Sequence, residues 1–192
     1  MSNNFLAYIN RMKLIRRWGL MRNTQPENDM EHSMQVVMLA HGMGVIANRR
    51  FDAHVDTGRI ALLAAYHDAS EVITGDLATP IKYFNPDIKR AYGALEDVAG
   101  QKLLSMLPED MKCEYLPLLS PDRDSREWRI VKAADKLSAY IKCVEELKAG
   151  NAEFARARET IAAQLRDIDL PELHEFMREF AGTFELSLDE LD

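Results

Sequence analysis

At 192 residues and 47% hydrophobic, the chain has apolar material for one sizeable core and is short for two. No apolar run approaches the roughly 20 residues of a membrane span, no cleavable signal pattern opens the chain, and Cys113 and Cys143 are too few for a disulfide framework or a four-thiolate site, so reduced, buried cysteines in a cytoplasmic protein are expected. The formal net charge of −7 argues against polymeric nucleic acid as a partner. Arg11, Lys13, Arg16, Arg17 and Arg22 nevertheless all precede the first acidic residue, Glu27, and make a local basic patch that suits a small anion.

The predicted elements are helices throughout. Phe5, Leu6, Ile9 and Met12 mark one face of a first helix that ends before Gly19. Pro26 precedes a second helix over about 28–48. Asp56 is a suitable N-cap for a third, rich in alanine and leucine, which must have stopped by Gly75. Asn85 followed by Pro86 signals the start of a helix to about 107, and a shorter segment over 109–119 follows. Ser125 opens a long helix to about 148, closed by Gly150 and Asn151, and two more cover 152–166 and 171–183. No strand alternation, internal repeat or low-complexity linker is visible, so residues 1–192 read as one all-α domain.

Within this framework His67 and Asp68 stand out. They follow the apolar run 60–66, where an ionised carboxylate is costly unless a cation or hydrogen bonds compensate it. A helix-terminal His-Asp pair with no metal is the plainer reading of the doublet alone. Further ligands change the balance. His32 lies at the start of the second helix, and Asp135 shares a helix face with Trp128, Val131, Ser138 and Ala139, a face that should point at the core. His32, His67, Asp68 and Asp135 together offer two nitrogens and two oxygens, a set suited to Zn, Mn, Fe or Co rather than to Ca. Helix bundles commonly hold a metal with one or two ligands per helix. His41 falls on the opposite face from His32, while His54 and His174 read as exposed; too few ligands remain for two ions. Glu71, three and four residues after Asp68 and His67, should face the same side if the helix persists that far.

The order His, His-Asp, then a lone Asp on a later helix resembles the HD-domain metal-dependent phosphohydrolases. Arg16-Arg17-Trp18, Glu31-His32-Ser33, the run from His67 to Glu71, Thr74-Gly75-Asp76-Leu77-Ala78-Thr79-Pro80, Lys82-Tyr83, Lys132-Ala133-Ala134-Asp135, Tyr140-Ile141-Lys142-Cys143 and 186–190 extend the resemblance to the bacterial 5′-deoxynucleotidases over nearly the whole chain. Gly19 and Ala78 depart from the family pattern, where proline is expected.

The resemblance implies a single-domain helical bundle of the HD type holding one divalent cation (Co, Mn or Zn) on His32, His67, Asp68 and Asp135. It also implies hydrolysis of deoxyribonucleoside 5′-monophosphates by metal-bound water attacking phosphorus. Glu71 would handle the proton, Arg17 the charge on phosphate, and Asp76 the departing oxygen or the sugar. Arg17, Trp18, His32, Asp68, Asp76, Leu77, Ala78, Thr79 and Asp135 would contact substrate, with Trp18 walling the sugar against a 2′-hydroxyl. A homodimer is implied as well. Another HD-type nucleotide phosphohydrolase (a triphosphohydrolase or phosphodiesterase) and a non-catalytic, metal-stapled nucleotide-binding module are the alternatives. Val72 after Glu71, and the lack of a Gly-Tyr-Pro element, count against two other HD groups.

Overall fold

Four of the helix starts are set by side-chain caps visible in the sequence. The computed structural model describes residues 3–82 and 84–191. Asn28 caps α2 (Asp29–Phe51) by accepting from the Met30 and Glu31 amides, and Glu31 reaches back to close a capping box. Asp56 caps α3 (Thr57–Tyr66), Asn85 caps α6 (Pro86–Leu104), and Ser125 caps α8 (Arg126–Lys148). The other helices are α1 (Phe5–Ile9), α4 (Glu71–Thr74), α5 (Thr79–Lys82), α7 (Lys112–Leu119), α9 (Ala155–Arg166) and α10 (Pro171–Glu179). Among the described residues the extended pairing is a single isolated antiparallel bridge, Arg16 with Asn28.

The central layer is α2, α3 and α8. Val36, Ala40 and Met43 of α2, Ile60 and Leu63 of α3, and Ile130, Leu137 and Ile141 of α8 are buried together, with Leu165 of α9 and Leu173 of α10 closing one side. A satellite cluster joins Phe5, Ala69, Leu103 and Leu107. Its aromatic rings are close: Phe5 meets Tyr115 at 4.9 Å between centroids and Tyr66 meets Tyr115 at 5.8 Å, both edge-on. This second cluster fixes the stretch that carries His67 and Asp68.

Several expected boundaries shift. The first helix does not run toward Gly19: it tightens to a 3-10 turn over Asn10–Leu14 and ends there, leaving Leu6 62% exposed while Phe5 and Met12 are buried. The third helix stops at Tyr66. A turn follows in which Ala69 N–H donates to Tyr66 O and Glu71 N–H to Asp68 O, and these i→i+3 bonds tighten the chain before the short α4. Gly75, at φ +73, ends α4 with its N–H on Glu71 O at 2.8 Å. Of the cysteines, Cys143 is buried as expected but Cys113 is exposed, because it falls on the outer side of α7.

Candidate active site

Three parts of the bundle converge at the start of α2. His32 comes from its first turn, His67 and Asp68 from the turn after α3, and Asp135 from the middle of α8. One ligand atom each from His32, His67 and Asp135 lies within 4.8 Å of the others. Asp68 joins them through the imidazoles: its Oδ2 is 3.0 Å from His67 Nε2 and 3.5 Å from His32 Nε2. His32 Nε2 is also 3.2 Å from Asp135 Oδ1. The four residues named from sequence are therefore brought together.

The second nitrogen of each imidazole decides what the first can do. His67 Nδ1 is 2.7 Å from Ala64 O, a carbonyl, so that nitrogen carries the hydrogen. His32 Nδ1 is 3.1 Å from Ser138 Oγ. The Ser138 hydroxyl spends its hydrogen on Gln35 Oε1, so it accepts from His32 Nδ1–H. Both rings consequently present a bare Nε2 lone pair to the site, and both Nε2 atoms are buried without a hydrogen-bond partner. Two bare imidazole nitrogens beside two carboxylates are what a divalent cation of borderline softness requires, and the outer hydrogen bonds hold the rings in the ligating tautomer. The residues present fit such an ion.

Around this cluster the carboxylates are unequal. Burial, reinforced by Asp68, Asp29 and Asp76, pushes Glu71 up to about 11 against the opposing pull of Arg17. Burial would also raise Asp68, but without an ion a protonated His67 beside it outweighs that and holds the carboxyl well below its usual range, a role that a cation on Nε2 would take over. Asp135 is likewise lowered: burial opposes, while the Lys132 ammonium, which bonds it one turn back, is the largest of the groups that prevail. Glu71 is thus a buried acid that keeps its proton next to a carboxylate that does not, the separation expected of groups in different chemical roles.

Arg17 lies above the cluster with Nη1 3.2 Å from Asp68 Oδ2 and 3.8 Å from Asp29 Oδ1. It is not on a helix, as the sequence suggested, but on the extended stretch past Leu14, where Arg17 N–H pairs with Glu27 O. Trp18 follows at φ +58, a left-handed conformation costly for a bulky residue. Its ring rests 5.3 Å from that of Phe154, half-buried on the surface rather than in the core. Asp76 is close enough to Arg17, Asp68 and His32 to register their charges, and burial raises its carboxyl. Leu77 and Ala78 are half-buried between α4 and α5, while the side chain of Thr79 and all of Tyr83 lie outside the described residues. His41 and His54 point away to solvent, and His174 is exposed.

The sequence reading missed two carboxylates. Asp29, fully buried in the first turn of α2, is pushed up to about 7 by burial and by Asp68, with Arg17 opposing, and neither of its oxygens finds a donor in good geometry. Glu27 bonds Trp18 and sits beside Arg17. Acidic residues before and in a helix's first turn are common for dipole reasons alone, so nothing local marks these two. Two surface clefts of about 330 and 410 Å³ flank the C-terminal end of α8 and share no lining residue with this cluster.

Comparison with known proteins bears on this arrangement. The sequence profile of the family described as 5′-deoxynucleotidase YfbR-like matches residues 4–184. The chain belongs to that family. Among YfbR-like relatives, a 5′-deoxynucleotidase of Vibrio vulnificus is 49% identical over 191 residues, covering 99% of this chain and 98% of its own. 5′-Deoxynucleotidase YfbR of Escherichia coli is 50% identical over 99% of this chain and 96% of its own. Among solved structures, an HD-domain phosphohydrolase from Listeria innocua superposes with a TM-score of 0.84 at 21% identity, over 96% of this chain and 90% of that one. The cyanophage S-2L HD phosphohydrolase, solved with dA and one catalytic zinc ion, superposes at 0.63 and 21% identity, over 93% of this chain and 95% of that one. At that identity the two structures establish the fold: this YfbR-like chain is an all-α bundle of the HD type.

Proposed function

We infer that the protein is a metal-dependent hydrolase that converts deoxyribonucleoside 5′-monophosphates to deoxyribonucleoside and phosphate. The observation that carries this reading is the pair of bare, buried Nε2 atoms facing Asp68 and Asp135, directly beneath an arginine fork. The names of full-length relatives at about half identity supply the substrate class.

His32, His67, Asp68 and Asp135 would hold the cation, which when bound supplies a Lewis acid for the phosphoryl group and acidifies the attacking water. The protein's own groups do the rest. Arg17 stays charged, because its acidic neighbours outweigh the burial that alone would lower its pKa, and its planar fork matches phosphate oxygens. It can exchange Asp68 for the equatorial oxygens as charge spreads over them. Glu71, holding a proton in a buried position, is placed to pass it during hydrolysis. Asp76, on the loop leaving α4, is the group for the departing 5′-oxygen or the sugar hydroxyl. The Trp18 indole closes the sugar side. A metal that only stapled helices together would give Glu71 and Arg17 no task.

The finer reading is a cobalt, manganese or zinc ion in a cytoplasmic homodimer, supported by the donor set for the metal and by family resemblance for the rest. Among the described residues no helix is long and apolar enough to cross a membrane.

The test is a phosphate-release panel on metal-reconstituted protein, comparing deoxy- and ribonucleoside mono-, di- and triphosphates, with metal content by elemental analysis and oligomeric state by light scattering. Deoxyribonucleoside monophosphates should dominate. Preferential release of pyrophosphate or triphosphate, or undiminished activity after exhaustive chelation, would overturn the reading.

A further inference from the structure

Glu27 sits where its side chain cannot be explained by helix capping. Asn28 already receives the Met30 and Glu31 amides, so the start of α2 is satisfied without its neighbour. The backbone turns Glu27 elsewhere. Arg17 N–H donates to Glu27 O at 3.1 Å and Asp29 N–H to Ile15 O at 3.2 Å, so residues 15–17 run antiparallel to 27–29. This short pairing sets the Glu27 carboxylate against the two residues that face the substrate.

Its Oε2 accepts the Trp18 indole N–H at 3.0 Å and lies 3.5 Å from Arg17 Nε. Its Oε1 is 3.9 Å from His32 Nδ1. The Arg17 and Glu27 side chains are each 15% exposed, so their contact is largely sheltered from water. The Trp18 backbone is held separately, its carbonyl accepting from Met21 N at 2.9 Å and from Asn23 Nδ2 at 3.3 Å. Those bonds maintain the left-handed turn at Trp18 but leave the indole free to rotate about its side-chain torsions. Phe154 supports one side of the ring; Glu27 fixes its polar edge.

We propose that Glu27 is a positioning residue that sets the preference for 2′-deoxyribose, by locking the Trp18 indole and the Nε edge of Arg17 into one arrangement. It touches neither substrate nor ion. The carboxylate oxygen that accepts the indole hydrogen also stands 3.5 Å from Arg17 Nε, an ion-pair contact with a nitrogen that makes no hydrogen bond. The phosphate-gripping fork and the sugar wall thereby share one reference point, and their spacing decides whether a 2′-hydroxyl fits. This inference rests on the deoxynucleotidase reading above.

The experiment measures kcat/KM for dAMP and AMP with the full-length, metal-loaded protein and its Glu27→Ala, Glu27→Gln, Glu27→Asp and Trp18→Ala variants. Metal content and thermal unfolding are followed in parallel. Indole emission and anisotropy are read in a Trp128→Phe background, so that Trp18 alone reports. Glu27→Ala should lower the deoxy-to-ribo ratio by about tenfold, the factor expected for one sheltered hydrogen bond, and should mobilise the indole. Glu27→Gln keeps an oxygen at the shared position and should restore most of the ratio, which a purely structural role would not predict. If Glu27→Ala does not fold, Glu27→Asp carries the test, since withdrawing the carboxylate by one methylene should move the ratio the same way.

An unchanged ratio in the folded Glu27 variants, with a collapsed ratio in Trp18→Ala, would overturn the inference and leave the function standing. An unchanged ratio in Trp18→Ala would overturn it as well. A wild-type protein indifferent to the 2′-hydroxyl would remove the underlying reading and this one with it.

Discussion

Glu146 lies well away from the candidate active site, yet its removal should have one of the largest stability effects of any polar substitution in this chain. The side chain is 1% exposed on α8, and its oxygens accept from the Thr24 amide at 2.9 Å, the Thr24 hydroxyl at 2.7 Å, the Gln25 amide at 3.2 Å, Asn151 Nδ2 at 2.8 Å and the Lys142 ammonium. Lys142, 5% exposed, otherwise reaches Gln25 O. Glu146→Ala strands that ammonium and unpins the 22–25 loop that leads back to Glu27. Removing one member of a buried pair costs about 3–5 kcal/mol. Thr24 and Gln25 are exposed and can turn their amides to water, which favours the lower end. For a chain of this size, about 3 kcal/mol corresponds to a fall in Tm of roughly 6–12 °C. Hydrogen bonds from Lys142, Thr24 and Asn151 overcome the effect of burial and hold the Glu146 carboxyl below its ordinary 4.5. A lowered carboxylate contributes stability above its unfolded pKa and loses it as pH falls, so the deficit should be full above about pH 4.5 and narrow below it. Thermal and urea unfolding of metal-loaded protein at pH 7 and pH 4 measures both. Pairing Glu146→Leu with Lys142→Met should recover much of the loss, since no charge is then buried alone. A Tm change under about 2 °C for Glu146→Ala at pH 7 would refute the argument, being less than 1 kcal/mol.

Other substitutions separate the roles within the site. Asp68→Ala should abolish metal retention, read by elemental analysis, together with activity; retained metal with full activity would rule out the ligand set. Glu71→Gln should keep the metal but lower kcat by about 10²-fold or more, the usual contribution of a positioned proton-transfer group. The same variant has a thermodynamic signature after chelation. Because folding raises Glu71 from 4.5 to about 11, wild-type stability from this group is present below pH 4.5 and declines as pH rises above it. Chelated Glu71→Gln should therefore be no less stable than wild type near pH 5 and increasingly more stable toward pH 9, by differential scanning calorimetry. A parallel pH dependence of the two proteins would contradict the burial assigned to Glu71.

Local chemistry in the sequence determined where most helices begin and what they contain. Asn28, Asp56, Asn85 and Ser125 cap helices because a side-chain oxygen reaches an amide only two or three residues away, a bond that needs no distant partner. The faces of α2 and α8 were legible for a similar reason: a helical period places His32 and Asp135 among buried neighbours wherever those helices end up. Only tertiary structure decided the rest. The helix that should have carried Glu71 beside His67 breaks at Tyr66, because the turn drops Ala69 into a cluster with Phe5 and Leu103, residues far away in the chain. Glu71 enters the site by that turn, not by the i+3 and i+4 spacing that pointed to it. Asp29 and Glu27 have the sequence context of ordinary helix-start acids, and become a buried and a part-buried carboxylate only when the 15–17 stretch pairs against 27–29 and closes over them. Burial is a property of what packs on top, and no spacing rule within a single helix contains it.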